Sequence, residues 1–414
     1  MSWPRAKIRA GALQFSVFVG VVVSLILGAF IMLIHIHRTL SVRSDLFLET
    51  IRNADTGIQY SLNHEINDSI SLPIFEEDYK HLIVSQKQWG AFKIVSSKST
   101  IKQYTFEKVA MVGGWEMKRP ALFLKDENRA LILVGQTRVE GGAYLPKRGV
   151  RSGNISGNSY YGSRLIYGNT RESSEELPSI LPVITDSGAQ LNSAIPFEQS
   201  MQLKNSFLKE TTYIYQAAPI NLFDANLTGN IIVISNSKIT VHPEAKLTDV
   251  ILMAPKIEVK NNVVGRFQAI ATKNIEIGKD SQLRYPSALV VKERISQNIQ
   301  ADQPTEINQI VLQERSRVEG VIIYEGQPKT RNYEPQVVLK INAKVKGEIH
   351  CNQNLELLGT VEGSVYTAGF IAKQSGSVYQ NHIYNGKILE PALPEEYAGL
   401  LFENSKKAVA QWLY

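Results

Sequence analysis

A ladder of apolar residues recurring about every eighteen positions constrains this 414-residue chain more than any single motif. Ile239-Thr-Val241, Ile257-Glu-Val259 and Ile275-Glu-Ile277 stand at equal offsets. Ala245, Val263 and Ser281 follow six places on, and Leu247, Gly265 and Leu283 eight places on. Each row then carries an apolar run: Val250-Ile-Leu252, Ala269-Ile270 and Ala288-Leu-Val-Val291. A row reads as short strands joined by sharp turns, apolar at period two. One row cannot bury its apolar side alone, so rows stack and share a core. The expected fold is mainly β, a parallel β-solenoid (β-helix), with the hand of the coil left open by the pattern.

Composition bounds the function. Hydrophobic content of 43% and charged content of 20% describe a folded chain. The net charge of +6 is spread along the sequence, which favours anionic surfaces in general and gives no ground for a nucleic-acid partner. Cys351 is the one cysteine, so neither an intrachain disulfide nor a cysteine metal cluster can form.

From Ala10 to Ile34 no residue is charged, and about twenty such residues cross a bilayer as a helix. A cleaved signal peptide would be shorter in its apolar part and end in small residues; Ile34-His35-Ile36-His37 follows instead. Arg5, Lys7 and Arg9 precede the span, while Arg38 and Arg43 are soon diluted by Asp45 and Glu49, which places the N-terminus in the cytoplasm. The expected segments are a basic leader over 1–11, a transmembrane helix over 12–36 in the lipid bilayer, and an amphipathic helix over 37–66. On the last, Phe47, Ile51, Ala54, Ile58 and Leu62 share one face.

A short basic leader ending in Gly11, an immediate membrane helix and an amphipathic continuation resemble a type IV pilin or pseudopilin. Two positions depart from that pattern: Ala12 replaces an aromatic residue, and Ser16 stands where most of the family carries Glu. The K-type minor pseudopilins of type II secretion systems also lack that Glu, and the N-terminus is most similar to those. The resemblance covers about the first sixty residues. It implies pilus or secretion partners reached through the helix, and chain cleavage after Gly11 is left open.

Residues 67–128 read as a small α+β region, with strands such as Ala91–Val95 and Tyr104–Val112. Ala121–Leu124 and Ala130–Val134 read as a β-hairpin across Asp126-Glu-Asn128. The solenoid is expected over 129–390, with insertions at 169–217, including a helical stretch around Phe197 to Leu208, and at 293–308. Its last rows carry V-x-G-x-(I/V): Val318–Ile322, Val345–Ile349 and Val361–Val365. Glycine at a fixed offset suits a corner that needs positive φ. These rows, roughly 309–388 with weaker echoes from 130, resemble bactofilins, polymer-forming bacterial proteins with a β-helix core. After Pro391-Ala-Leu-Pro394, residues 391–414 are expected to form a capping helix.

Chemistry-bearing motifs are sparse. The histidines His35, His37, His64, His81, His242, His350 and His382 are scattered, and Asp68 stands where a second zincin histidine would follow His64-Glu65. Gly157-Asn-Ser159-Tyr-Tyr-Gly162 is one residue too long for a nucleophile elbow. No phosphate-cradling glycine motif occurs. Asp249, Arg266 and Arg284 fall near the same part of successive rows, as a polysaccharide lyase or hydrolase face requires; alternating charges on any solvated strand face give the same pattern. Tyr160, Tyr161 and Tyr167 suit either sugar stacking or loop packing.

The sequence therefore points to a single-pass bacterial inner-membrane protein with its C-terminal part in the periplasm. No catalytic, cofactor-binding or metal residue is assigned, and no cofactor is expected. The role is structural, as a scaffold or minor component of a pilus-like or type II secretion-like assembly that is open to homo-oligomer formation. A membrane-tethered carbohydrate-active enzyme or glycan binder, and an anchored bactofilin-like polymer, are the alternatives.

Overall fold

The computed structural model describes residues 10–73, 77–183, 193–294, 307–327, 332–403 and 405–413. It is mainly β with one long apolar N-terminal helix, Ala10–Asn63. Two compact units form: Met1–Gln59 with Ile70–Val84 and Ser97–Lys108, and Tyr60–Ser69 with Ser85–Ser96 and Val109–Tyr414.

In the first unit the helix exposes Leu13, Phe15, Phe18, Leu25, Ile31 and Leu33 over its early turns. Further on, Thr50, Ala54, Gly57 and Ile58 are buried. A Cβ on Gly57 would lie 2.1 Å from Ser97 Oγ and 2.9 Å from Val84 Cγ2, so the helix packs tightly on these strand side chains. Lys80 pairs with Glu49 at 2.6 Å, and Lys108 pairs with Asp55. The buried face is rotated from the expected stripe: Phe47 stays 43% exposed and touches Phe106 edge-on. Close approach selects the small residues Thr50 and Gly57 over the bulkiest ones.

The second unit is dominated by a closed sheet of parallel strands in three registered columns. In one, Ile220, Ile239, Ile257, Ile275, Ile310, Val337, Leu355 and Phe370 stand directly above one another, all buried. A second carries Ile214, Val233, Leu252, Ala269, Leu289, Ile322, Ile349, Val365 and Leu122. The third ends in Leu283, Val318, Val345, Val361, Ile388 and Val139. These inward side chains fill one core.

The second column is apolar on its outer side too. Ile234, Met253, Ile270, Val290, Ile323, His350, Tyr366 and Phe123 form the outer row. Trp89, Phe92, Met111, Leu400, Phe402 and Leu413 cover it. A strand buried on both faces reads as a continuous apolar run rather than an alternation, which explains Ile231–Ile234 and Leu289–Val291. Gln268 is buried in that outer surface. It accepts from Ala91 N at 2.8 Å and donates to Trp89 O at 3.0 Å, pinning the turn at Gly90.

Stacking follows chain order from Ile220 to Phe370, but the earlier strands depart from it. Leu122–Leu124 pairs with Thr360–Gln374 on one side and Ala143–Leu145 on the other. Leu131–Val134 lies between His382–Tyr384 and Val150–Ser152, and Arg138–Glu140 pairs with Lys387–Leu389. The first rows of the sequence thus stack on the last.

Several expectations are corrected. The anticipated hairpin does not form, because Leu122–Leu124 joins the closed sheet and Leu131–Val134 a separate three-stranded one; strands already half satisfied by distant rows gain more there than from each other. Parallel pairing starts at Leu122, before 129. The stretch 169–217 is no simple excursion: Thr170–Glu172, Gln202–Asn205 and Thr212–Gln216 all pair in parallel, and Phe197 to Leu208 contains a strand, not a helix. Residues 184–192 within it lie outside the described residues, as do 295–306 of the second insertion and 1–9 of the leader. The helix ends at Asn63, not 66, and among the described residues of 67–128 the regular elements are strands. The C-terminal segment is no capping helix. After the 3₁₀ turn Glu390–Ala392, Lys406–Leu413 runs as a strand antiparallel to Val109–Trp115. Pro391 and Pro394 stop helix growth, and an open strand edge outweighs helical propensity.

The V-x-G motif has a stereochemical cause. Gly320, Gly347 and Gly363 are in register with φ of 140°, 145° and 148°. A Cβ on any of them would lie 1.9 Å from a carbonyl oxygen of the preceding row. Gly347→Ala is expected to cost about 3 kcal/mol, seen as a lowered denaturant midpoint. Gly376→Ala, with φ of 79° and nothing within 4 Å of a Cβ, should cost about 1 kcal/mol or less. Equal losses in the two variants would refute the packing argument.

Candidate functional site

Two polar features stand out on the apolar scaffold, both inside the second unit. The first is buried beneath the C-terminal segment. Arg119 Nε donates to Glu348 Oε1 at 3.2 Å, and Arg119 Nη2 donates to the Tyr397 carbonyl at 2.5 Å. Leu400 N donates to Glu348 Oε2 at 2.6 Å, and the Tyr397 hydroxyl donates to Gly320 O at 2.7 Å. Glu348 belongs to the outer side of its strand, where Val321 and Ser364 are its register partners. It therefore ties Leu400 to the sheet through charge rather than apolar contact. Arg119 also faces Glu116 and Glu390, so one buried cation serves three carboxyls. Burial pushes Glu348 up to about 7 against the pull of Arg119, and raises Glu116 and Glu390 for the same reason. Nearby, the His350 Nε2 lies 3.2 Å from Pro178 O, and burial lowers that imidazole's pKa.

The second feature is an open groove across successive rows. One part, about 490 Å³, is lined by Arg266, Arg284, Tyr285, Arg317 and Glu319. An adjoining part, about 370 Å³, shares Tyr285 and Glu319 and adds Lys346, Glu396, Tyr397 and Val409. Asp249 holds Arg266 in a fork, accepting from Nε at 2.7 Å and Nη2 at 2.9 Å, and also accepts from Gln411 Nε2 at 3.2 Å. Arg317 pairs with Glu319 at 2.8 Å. Tyr285 donates its hydroxyl to Ala398 O at 2.7 Å, which fixes the ring. Glu319 is thus engaged by the Arg317 guanidinium and accepts from the Tyr285 backbone N–H at 3.4 Å.

The sequence-selected residues separate clearly. Asp249, Arg266 and Arg284 do converge, the first two as an ion pair and the two arginines as walls of one groove. Ser159 sits in a small turn, accepting from Asn154 Nδ2 at 2.8 Å. Tyr160 hydrogen-bonds to Arg164 O and packs against the core, Tyr167 lies under the Arg138 guanidinium, and Tyr161 is exposed. Among the described residues no three His, Cys, Asp or Glu side chains are grouped to hold a metal ion. Cys351 is buried, which pushes its thiol up to about 12. The Arg119–Glu348 pair joins residues 229 apart, a relation without periodic signature in the sequence.

Glu348 should make stability fall with rising pH. Its ordinary value is 4.5 and its folded value about 7, so the native state holds an extra proton between them. One such proton corresponds to a slope of up to about 1.4 kcal/mol per pH unit. Unfolding midpoints measured from pH 4.5 to 7.5 should decline in the wild type and decline less in Glu348→Gln. An unchanged slope in the variant would refute the assignment.

No protein-family model and no curated protein matches this chain. Among solved structures, the crystal structure of the competence-associated pilin ComZ from Thermus thermophilus aligns at 11% identity, covering 89% of this chain and 97% of that one. Its TM-score of 0.19 does not establish a common fold.

Proposed function

We propose that this chain is a single-pass inner-membrane protein whose N-terminus is cytoplasmic and whose remaining mass is a periplasmic scaffold. It acts without catalysis, as a minor component of a pilus-like or type II secretion-like envelope assembly. The observation that carries the reading is the helix itself. It is long and apolar enough to cross a membrane, and its most apolar stretch has no side chain covered by the protein. Water is a poor solvent for such a surface, whereas lipid or neighbouring helices are good ones.

The closed parallel sheet is, on this reading, a β-solenoid of coils about eighteen residues long, offering stiff, regular faces to partners. Its two ends support a discrete particle over an endless bactofilin-like filament. Tyr160, Leu165, Phe197 and Met201 pack against the core. The terminal strands Thr170–Glu172 and Ile195–Pro196 are exposed, and they carry charge or proline, which discourages edge pairing.

Two measurements test the placement. Alkaline phosphatase fused after Tyr414 should be active, and a cytoplasm-dependent reporter at the same site should be silent. Leu25→Arg, which costs about 3 kcal/mol at mid-bilayer, should shift the protein out of the carbonate-resistant membrane fraction. An active cytoplasmic reporter would overturn the topology.

A further inference from the structure

The groove over Arg266, Arg284 and Arg317 is not needed for a scaffold, and it has the makings of a binding site. Arg266 and Arg317 are held in place by Asp249 and Glu319, so their guanidinium planes are set before any ligand arrives. Arg284 lies on the row between them, exposed and without an ion-pair partner among the described residues. Arg266, Arg284 and Arg317 stand on three successive rows, with rows about 4.8 Å apart and Arg317 in register with Gln282, two positions before Arg284. The Tyr285 ring, fixed by Ala398 O, lines both parts of the groove.

We propose that this groove binds a linear polysaccharide of uronic-acid residues. Sugar carboxylates meet the arginines, Arg284 foremost, because a guanidinium matches a carboxylate's two oxygens. Sugar hydroxyls meet Glu319 and Glu396, and a ring face lies against Tyr285. The two carboxylates in the walls are what favour a glycan over a nucleic acid. They repel carboxylates and phosphodiesters alike, but they accept hydrogen bonds from the free hydroxyls that every uronic-acid unit offers and a DNA backbone lacks. The inference goes beyond the scaffold role and does not depend on which side of the membrane the sheet lies.

The test uses the full-length protein in detergent micelles with fluorescent oligogalacturonate as probe. Methyl-esterified oligogalacturonate and a single-stranded DNA oligomer of similar length are the comparisons. The acid oligomer should bind, the ester at least tenfold more weakly, and DNA more weakly than the acid. Arg284→Gln should weaken the acid oligomer at least tenfold with an unchanged unfolding midpoint. Arg284→Lys should recover part of the loss, and Lys246→Gln, outside the groove, should change nothing. Absence of binding, equal binding of acid and ester, tighter binding of DNA, or an Arg284→Gln variant as good as wild type would each overturn the proposal.

Discussion

The burial of one column of strands on both faces is the constraint from which the rest of the second unit follows. Inward, Leu252, Ala269, Leu289 and Ile322 share the core of the stack. Outward, Met253, Ile270, Val290 and Ile323 need a second cover, and Trp89, Met111, Leu400 and Leu413 supply it. Each apolar side chain so buried contributes about 1.5–3 kcal/mol relative to exposure, and the sum opposes the entropy of ordering several loops. Because apolar contact is non-directional, the placement of the cover is decided by the few polar groups in that surface. Gln268 reads the backbone of the turn at Trp89 and Ala91, and Glu348 reads Leu400. Leaving either unmatched would strand a buried polar group, a heavier loss than the bond itself provides.

How much of this was legible in the sequence depends on distance along the chain. Equivalent side chains in adjacent rows recur at a fixed spacing, so the column through Ile239, Ile257 and Ile275 could be read directly. The same holds for the glycine corners at 320, 347 and 363, where a Cβ has no room. The runs at Ile231–Ile234 and Leu289–Val291 held a further message, since an unbroken apolar stretch signals cover on both sides. What periodicity cannot convey is which remote segments become neighbours. The strand at Lys406–Leu413, the stacking of Leu122 on Val365 and the Arg119–Glu348 pair each join residues hundreds of positions apart. Helix propensity misled at the C-terminus, because it measures the segment alone and not the open strand edge waiting for it.

The polar groove was partly legible for a similar reason. Arg266 and Arg284 are one period apart and so face the same way, whereas Arg317 follows an insertion that breaks the count. Tyr397 and Val409 enter the groove wall only because the C-terminal segment returns to the sheet. A regular stack thus supplies evenly spaced charges, and the returning chain supplies the wall that turns a flat face into a cleft.

The pairing of Leu122–Leu124 with Val365–Thr367 has a consequence for biogenesis. A row that emerges early from the ribosome cannot complete its hydrogen bonds until a segment more than two hundred residues younger has been made. At roughly 5–20 residues per second, the delay is on the order of ten seconds or longer. During that interval the early strands are sticky, half-finished edges in need of chaperone protection, whereas the rows from Ile220 to Phe370 stack in the order of their synthesis and can add one upon another.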